Sequence, residues 1–377
     1  MFKNLMNSFA AIPLGIALLI ASFPLLFWNE GRAVKTARAL AEGAKKVITI
    51  DTGNVSPDFE GQLVHVSGKT NTTEILTDAQ FGVSTNAIKL RRNVEMYQWQ
   101  EKSSSSGNNK NKTYSYDKVW SKSVISSSSF DNQSYTNPSS MPFQITVKQA
   151  NDVSLGAFVL PSSLISKINN YTVIVPDSSL LASLKASPSF ANLNLEQQGQ
   201  EIFIGYQGSP AKPEIGDIRI GFEQVLAGPV SVIAQQSGNS FTAFKAKSGR
   251  NLSMLRVGTL TADEMFTLAV KENNMLTWAM RFLGFFLMLG AFRIILGPLE
   301  AMTRGIPLLG TMVRAGLSAV SFVLAFALTL VTVAISWFSF RPLIAIPLLT
   351  LALAGIFVAW WMGRKKEPVV ITEPASA

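Results

Sequence analysis

The chain has 377 residues, 33 lysines and arginines against 24 aspartates and glutamates, a net charge of +9, one histidine and no cysteine. The absence of cysteine removes disulfides, thiolate metal sites and cysteine nucleophiles, and the lone His65 argues against a Ser–His–Asp triad or a histidine-ligated metal centre. Many of the cations (Lys3, Arg32, Lys35, Arg38, Arg304, Arg314 and Arg364 to Lys366) flank apolar runs, where they meet anionic headgroups, so the positive excess reads as a membrane signal and not as a nucleic-acid one.

The first of those runs, Phe9 to Trp28, carries no charge. A hydrocarbon core ~30 Å thick takes about 20 apolar residues in a helix, so residues 9–28 are expected to span a bilayer. The run is longer than the apolar core of a signal peptide. It leads into Asn29-Glu30-Gly31-Arg32 and not into a small-residue cleavage site, which makes it an uncleaved signal anchor. Residues 29–46 are alanine-rich, with Ala33, Val34, Ala37, Leu40 and Ala41 at helical spacing and basic residues opposite. This juxtamembrane amphipathic helix is expected to lie on the headgroups, with docking of a partner as the alternative.

Residues 47–275 form the polar interval and read as a β-rich extracytoplasmic domain. Strands are expected at Lys46–Asp51, Gln62–Gly68, Ala87–Glu101 and Thr113–Ser121, the last two closed into a hairpin by a serine-asparagine linker around 103–110. In Asn93–Gln100, Val94 and Met96 alternate with Glu95, Tyr97 and Trp99, the pattern of a two-faced sheet whose aromatics are packing residues. Ser126–Pro142 is expected to be an exposed loop, and Leu164–Ile168 and Ser178–Leu184 short helices. Strands resume at Glu201–Gln207, Ile215–Gln224, Val230–Gln236 and Ser240–Ala246, with a turn at 237–239. Two β-rich blocks of similar layout suggest a duplication. Thr261 and Glu264 form a capping-box signature, opening a helix expected to run through Trp278 into the next span.

Three further spans are expected: 276–299, which contains Arg281 and Arg293, then 315–338 and 343–362. Residues 300–314 form a cytoplasmic interfacial segment, and 363–377 a cytoplasmic tail. Arg304 and Arg314 in one short loop and the basic tail place both termini inside and the large domain outside. Arg32, Lys35 and Arg38 count against that orientation. Arg293 is expected to snorkel to the headgroups or to serve between helices.

The fold class is therefore a multi-pass α-helical membrane protein with four transmembrane helices and a large β-rich α+β extramembrane domain. No phosphate-binding glycine loop, HExxH, calcium loop or GxSxG elbow occurs. Glu95 and Glu101 near aromatic residues read as ordinary strand carboxylates before an acid–base pair, and His65 as a hydrogen-bonded strand histidine. No cofactor or metal is implied. The candidate interface residues are Arg32, Lys35, Arg38, Arg293, Arg304 and Arg314.

The strings NEGRAVKTARALAEG (29–43), GQLVHVSGK (61–69), FGVSTNAIKLRRNVEMYQW (81–99), PEIGDIRIGF (213–222) and LTLVTVAISWFSFRPL (328–343) resemble the transmembrane protein 43 (LUMA) family over nearly the whole chain. The resemblance implies four spans, a large lumenal domain and no defined catalytic residues. It also implies, for eukaryotic members, residence in the endoplasmic reticulum and inner nuclear membrane with lamin and emerin partners. The cysteine-free composition suggests a bacterial member, in the inner membrane with a periplasmic domain, to which those partners would not transfer. The leading expectation is a non-enzymatic scaffold that sits in the lipid bilayer as a homo-oligomer and organises other membrane proteins, with no nucleic-acid partner. An ion channel or channel subunit is the alternative, and a membrane-bound enzyme comes third.

Overall fold

A computed structural model describes residues 9–105, 112–303, 307–343, 345–347 and 350. Its contacts divide the chain into two compact units. One is β-rich and takes residues 46–244 and 252–265; the other holds the long helices and the segment 245–251.

The β-rich unit contains two seven-stranded sheets. In the first, Leu63–Asn71 pairs antiparallel with Pro229–Ser237, with Val66 opposite Val232. Ile48–Thr49 adds in parallel to Leu63–Asn71, and Met254–Val257 adds to Pro229–Ser237. In the second sheet, the 17-residue strand Lys89–Ser105 lies between Ile218–Val225 and Lys112–Ser121. Each sheet thus joins early strands to late ones. The two β-rich blocks are therefore not two independent sheets, because the chain has to return to complete each ladder.

A single hydrophobic core draws on both sheets: Val64, Val66, Val230 and Val232 from the first, Val94, Met96, Ile218, Ile220 and Phe222 from the second. Phe81 lies within it, 5.3 Å from the rings of Phe143 and Phe190 and 5.7 Å from that of Phe222. Over Phe81 sits the Arg92 guanidinium, at 5.0 Å, ion-paired at 2.9 Å with Asp78. Both members of that pair are buried, so removing one would strand the other's charge. The alternation in Asn93–Gln100 is realised: Val94 and Met96 are buried, while Glu95, Tyr97 and Trp99 take the other face. There each side chain has a cross-strand neighbour, since Tyr97 stands opposite Trp120, Trp99 opposite Lys118 and Glu101 opposite Tyr116.

Ser126–Pro142, expected to be an exposed loop, is exposed over most of its length but is pinned to that face. Asn137 accepts from the Trp99 amide at 2.7 Å and donates to the Trp99 carbonyl at 2.9 Å, and Tyr135 stacks on Tyr116 at 3.9 Å. A polar loop carrying an aromatic and an amide gains a sheet face to bind, which composition alone conceals.

His65 is buried. Its Nε2 donates to the Leu260 carbonyl at 2.9 Å, which leaves Nδ1 to accept from the Thr49 hydroxyl at 3.3 Å. It thereby links the first strand to the residue preceding the capping box of Thr261 and Glu264.

The helical unit begins with one helix, Ile12–Lys46, of 35 residues. The expected boundary between a span (9–28) and a surface helix (29–46) is absent, because Asn29 to Gly31 are buried among other helices and not left at a solvated turn. A second helix runs unbroken from Ala262 to Thr303, and a third from Pro307 to Phe340. The span expected at 276–299 is thus the middle of a longer helix, and most of the segment 300–314 is helical. Among the described residues three helices are long and apolar enough to cross a membrane. The fourth span (343–362) falls largely outside the described residues, as do the tail and Arg304.

The first two helices approach closely where Leu26, fully buried, covers Gly284: a Cβ there would stand 2.5 Å from Leu26 Cδ2. Leu26, Met288 and Ala325, one from each helix, form the apolar centre of the bundle.

Burial lowers the pKa of His65 from its ordinary 6.5, so the folded chain holds that proton less tightly than the unfolded chain. The linkage leaves stability intact above about pH 6.5 and erodes it as pH falls below that value. The melting temperature of the β-rich unit is expected to drop between pH 7.5 and pH 5, and His65→Gln to show a smaller drop. Equal drops in circular-dichroism melts would refute the assignment.

Candidate functional site

Four consecutive helical residues point in directions 100° apart, so they are all buried only where neighbours surround the helix. Asn29, Glu30 and Gly31 are buried and Arg32 half-buried, and each meets a residue of another long helix. The Glu30 carboxylate accepts from Arg281 Nε at 2.6 Å and Arg281 Nη2 at 2.9 Å, and its second oxygen also accepts from Trp337 Nε1 at 2.9 Å. One side chain of the first helix therefore holds one from the second and one from the third. Arg281 lies 4.8 Å from the Trp278 ring and 5.9 Å from that of Trp337, so its cation is solvated by a carboxylate and two indoles.

Next to this pair lies a second network. Arg32 donates to Asn273 Oδ1 at 3.0 Å, to Thr277 Oγ1 at 3.0 Å and to Asn29 Oδ1 at 3.1 Å. Asn29 Nδ2 donates to the Thr277 carbonyl and Asn273 Nδ2 to the Ala33 carbonyl, both at 3.1 Å. Gly31 lies under the Phe340 ring, with any Cβ only 2.7 Å from Phe340 Cζ. Arg38 donates at 2.7 Å to the Phe340 carbonyl, satisfying an acceptor at the last residue of the third helix. Farther along the first helix, Thr36 accepts from Arg250 at 3.1 Å and Glu42 from the Lys247 amide at 2.8 Å.

The structure thus brings two of the six candidate residues, Arg32 and Arg38, into this interlocked end of the bundle. Lys35 is exposed. Arg293 and Arg314 lie elsewhere, lining a cavity with Leu296, Glu300, Leu317, Ser318 and Ser321. Arg314 pairs with Glu300 at 2.8 Å. Glu30, Arg281 and Trp337 carry the centre and are not among the six candidate residues. The available signal was a carboxylate directly after one apolar run and an arginine and a tryptophan inside two others, because charges in such runs require partners.

The arrangement clamps three helices together. Both Glu30 oxygens are occupied, and Glu95 and Glu101 do not converge in the β-rich unit. Glu95 pairs with Arg219, opposite it in the ladder, and Glu101 accepts from the Tyr116 hydroxyl at 2.7 Å. Among the described residues no group of three or more histidines, aspartates or glutamates is placed to hold a metal ion.

A family model described as transmembrane protein 43 matches residues 96–342. The transmembrane protein 43 of Homo sapiens is 37% identical over 363 residues, covering 92% of this chain and 88% of that protein, and the one of Mus musculus is 36% identical with the same coverage. The transmembrane protein 43 homolog of Drosophila melanogaster is 29% identical over 368 residues, 93% of each chain. No solved structure matches the chain.

Because the half-buried Arg281 has the fully buried Glu30 as its carboxylate partner, Glu30→Gln is expected to leave that cation unpaired and to cost about 3 kcal/mol of bundle stability. The double variant Glu30→Gln with Arg281→Met removes both charges and is expected to recover most of that loss. Thermal unfolding in detergent measures both; a double variant as unstable as the single one would contradict a charge-pair clamp.

Proposed function

The chain belongs to the transmembrane protein 43 family, and on that premise we propose that it is a non-enzymatic membrane scaffold that self-associates and organises other membrane proteins. The observation that carries this reading is the fate of the polar groups around Glu30 and along most of the third helix: they are engaged within the fold, between helices at the clamp and within their own helix beyond it. A channel needs a line of hydroxyls and charges free to face water. Here Ser321, Thr332 and Ser336 donate to carbonyls of their own helix at 2.7–2.8 Å, and Thr329 donates to Met288 Sδ at 3.4 Å. Glu30, Arg281, Asn29, Asn273 and Thr277 are committed to the clamp. Helices tied to one another through Glu30, Arg281 and Trp337 suit a platform better than a pore.

The orientation with both termini inside and the large domain in the periplasm or lumen belongs to the same proposal. Of the three cations that count against it, Lys35 is exposed, but Arg32 and Arg38 have protein acceptors, and a cation satisfied within the fold has little left to offer a headgroup. The positive-inside tendency counts cations that are free to meet the membrane surface.

Mass measurement of the full chain in mild detergent tests the scaffold, with an oligomer or a co-purified membrane protein expected. A strictly monomeric, partnerless chain would end this reading. Ion flux into liposomes containing the chain, if blocked by substitutions among these hydroxyls, would favour the channel.

A further inference from the structure

The cavity between the second and third long helices holds about 210 Å³, against the ~15 Å³ that a single water requires. Its walls are Arg293, Leu296 and Glu300 from one helix and Arg314, Leu317, Ser318 and Ser321 from the other. At 1.5 Å per residue Arg293 lies ~18 Å along its helix from Arg281, while Glu300 lies ~28 Å from it. On the third helix Arg314 lies ~35 Å from Trp337. The Glu30 clamp and the mouth of this cavity are therefore about one hydrocarbon thickness apart, and Arg293 is its inner end.

That depth poses a problem for Arg293. A charged side chain inside the hydrocarbon costs about 3 kcal/mol on insertion scales unless it is solvated or paired. Arg314 is paired with Glu300, but Arg293 makes no hydrogen bond or ion pair among the described residues. The Ser318 hydroxyl is likewise uncommitted among them, whereas Ser321 donates to the Leu317 carbonyl. The charged walls sum to +1: Arg293 and Arg314 against Glu300. Leu296 and Leu317 supply apolar surface beside the charge.

We infer that this cavity binds the headgroup phosphate of an anionic phospholipid, drawn in from the membrane surface toward Arg293. The phosphate oxygens accept from the Arg293 guanidinium and the Ser318 hydroxyl, and Arg314 adds positive potential at the mouth. The first acyl carbons follow the leucine walls into the bilayer. Arginine suits the task because its fork of donors matches phosphate oxygens two at a time. Anionic lipid is favoured over free phosphate because the site opens at the level of the headgroups and its inner end is flanked by hydrocarbon.

Native mass spectrometry of the full chain in neutral detergent tests the site, with phosphatidylglycerol, phosphatidylcholine of the same acyl length, and inorganic phosphate as separate probes. One tightly held phosphatidylglycerol is expected. Arg293→Gln is expected to weaken it about fivefold, the factor that corresponds to the ~1 kcal/mol of one cation at a charged membrane surface. Arg293→Lys is expected to recover part of the loss, Ser318→Leu to weaken binding by filling the cavity, and Lys185→Gln in the β-rich unit to change nothing. Equal retention of phosphatidylcholine, wild-type affinity in both Arg293→Gln and Ser318→Leu, or a matching loss in Lys185→Gln would overturn the assignment. Inorganic phosphate bound at this site with no lipid retained would overturn the lipid source.

Discussion

The bundle depends on one carboxylate that two other helices share. Glu30 has no exposed surface, so its charge has lost water and must be repaid by protein donors. Arg281 supplies two and Trp337 a third. In a bilayer the hydrophobic effect does little to join helices, since lipid tails are as apolar as leucine. Directional contacts and close packing have to choose the partners. A bidentate ion pair restricts the relative height and rotation of the first and second helices, and the indole adds the third. Gly284 under Leu26 and Gly31 under Phe340 then allow the close approach that such short bonds require.

That constraint explains why the first helix does not bend onto the membrane surface after residue 28. An amphipathic pattern with basic residues on one face fits a headgroup surface and equally fits a groove lined by acceptors. Arg32 chooses the acceptors of Asn273 and Thr277, and the Ala33 and Val34 face is buried with them. The same logic holds in the β-rich unit, where Arg219 and Glu95 or Arg91 and Glu223 meet across the ladder because register places them opposite one another. Their charges serve the sheet.

At the other end of the bundle Arg293 is an exception to this economy. Arg32, Arg38, Arg281 and Arg314 each have an acceptor within the fold, and this one faces a cavity. Structural charges are paired by the protein that positions them, so an unpaired charge at depth is where an external anion has most to offer.

Local pattern determined much of this protein. Long apolar runs marked the first, second and third apolar helices, period-two alternation assigned Val94 and Met96 to a core face, and the Thr261–Glu264 spacing announced the start of a helix. These follow from side-chain geometry within a few residues, which sequence displays directly. The family strings add the identity of the fold's relatives. Tertiary structure alone decided which charges were partners. Glu30 and Arg281 are separated by 251 positions, and nothing local distinguishes a carboxylate that ends a span from one that clamps three helices. It also decided that early strands pair with late ones, and that Tyr135 and Asn137 fold a polar loop onto the sheet. Each of these is a contact between distant segments, chosen by the desolvation that follows when they meet, and that energy exists only once the chain has brought them together.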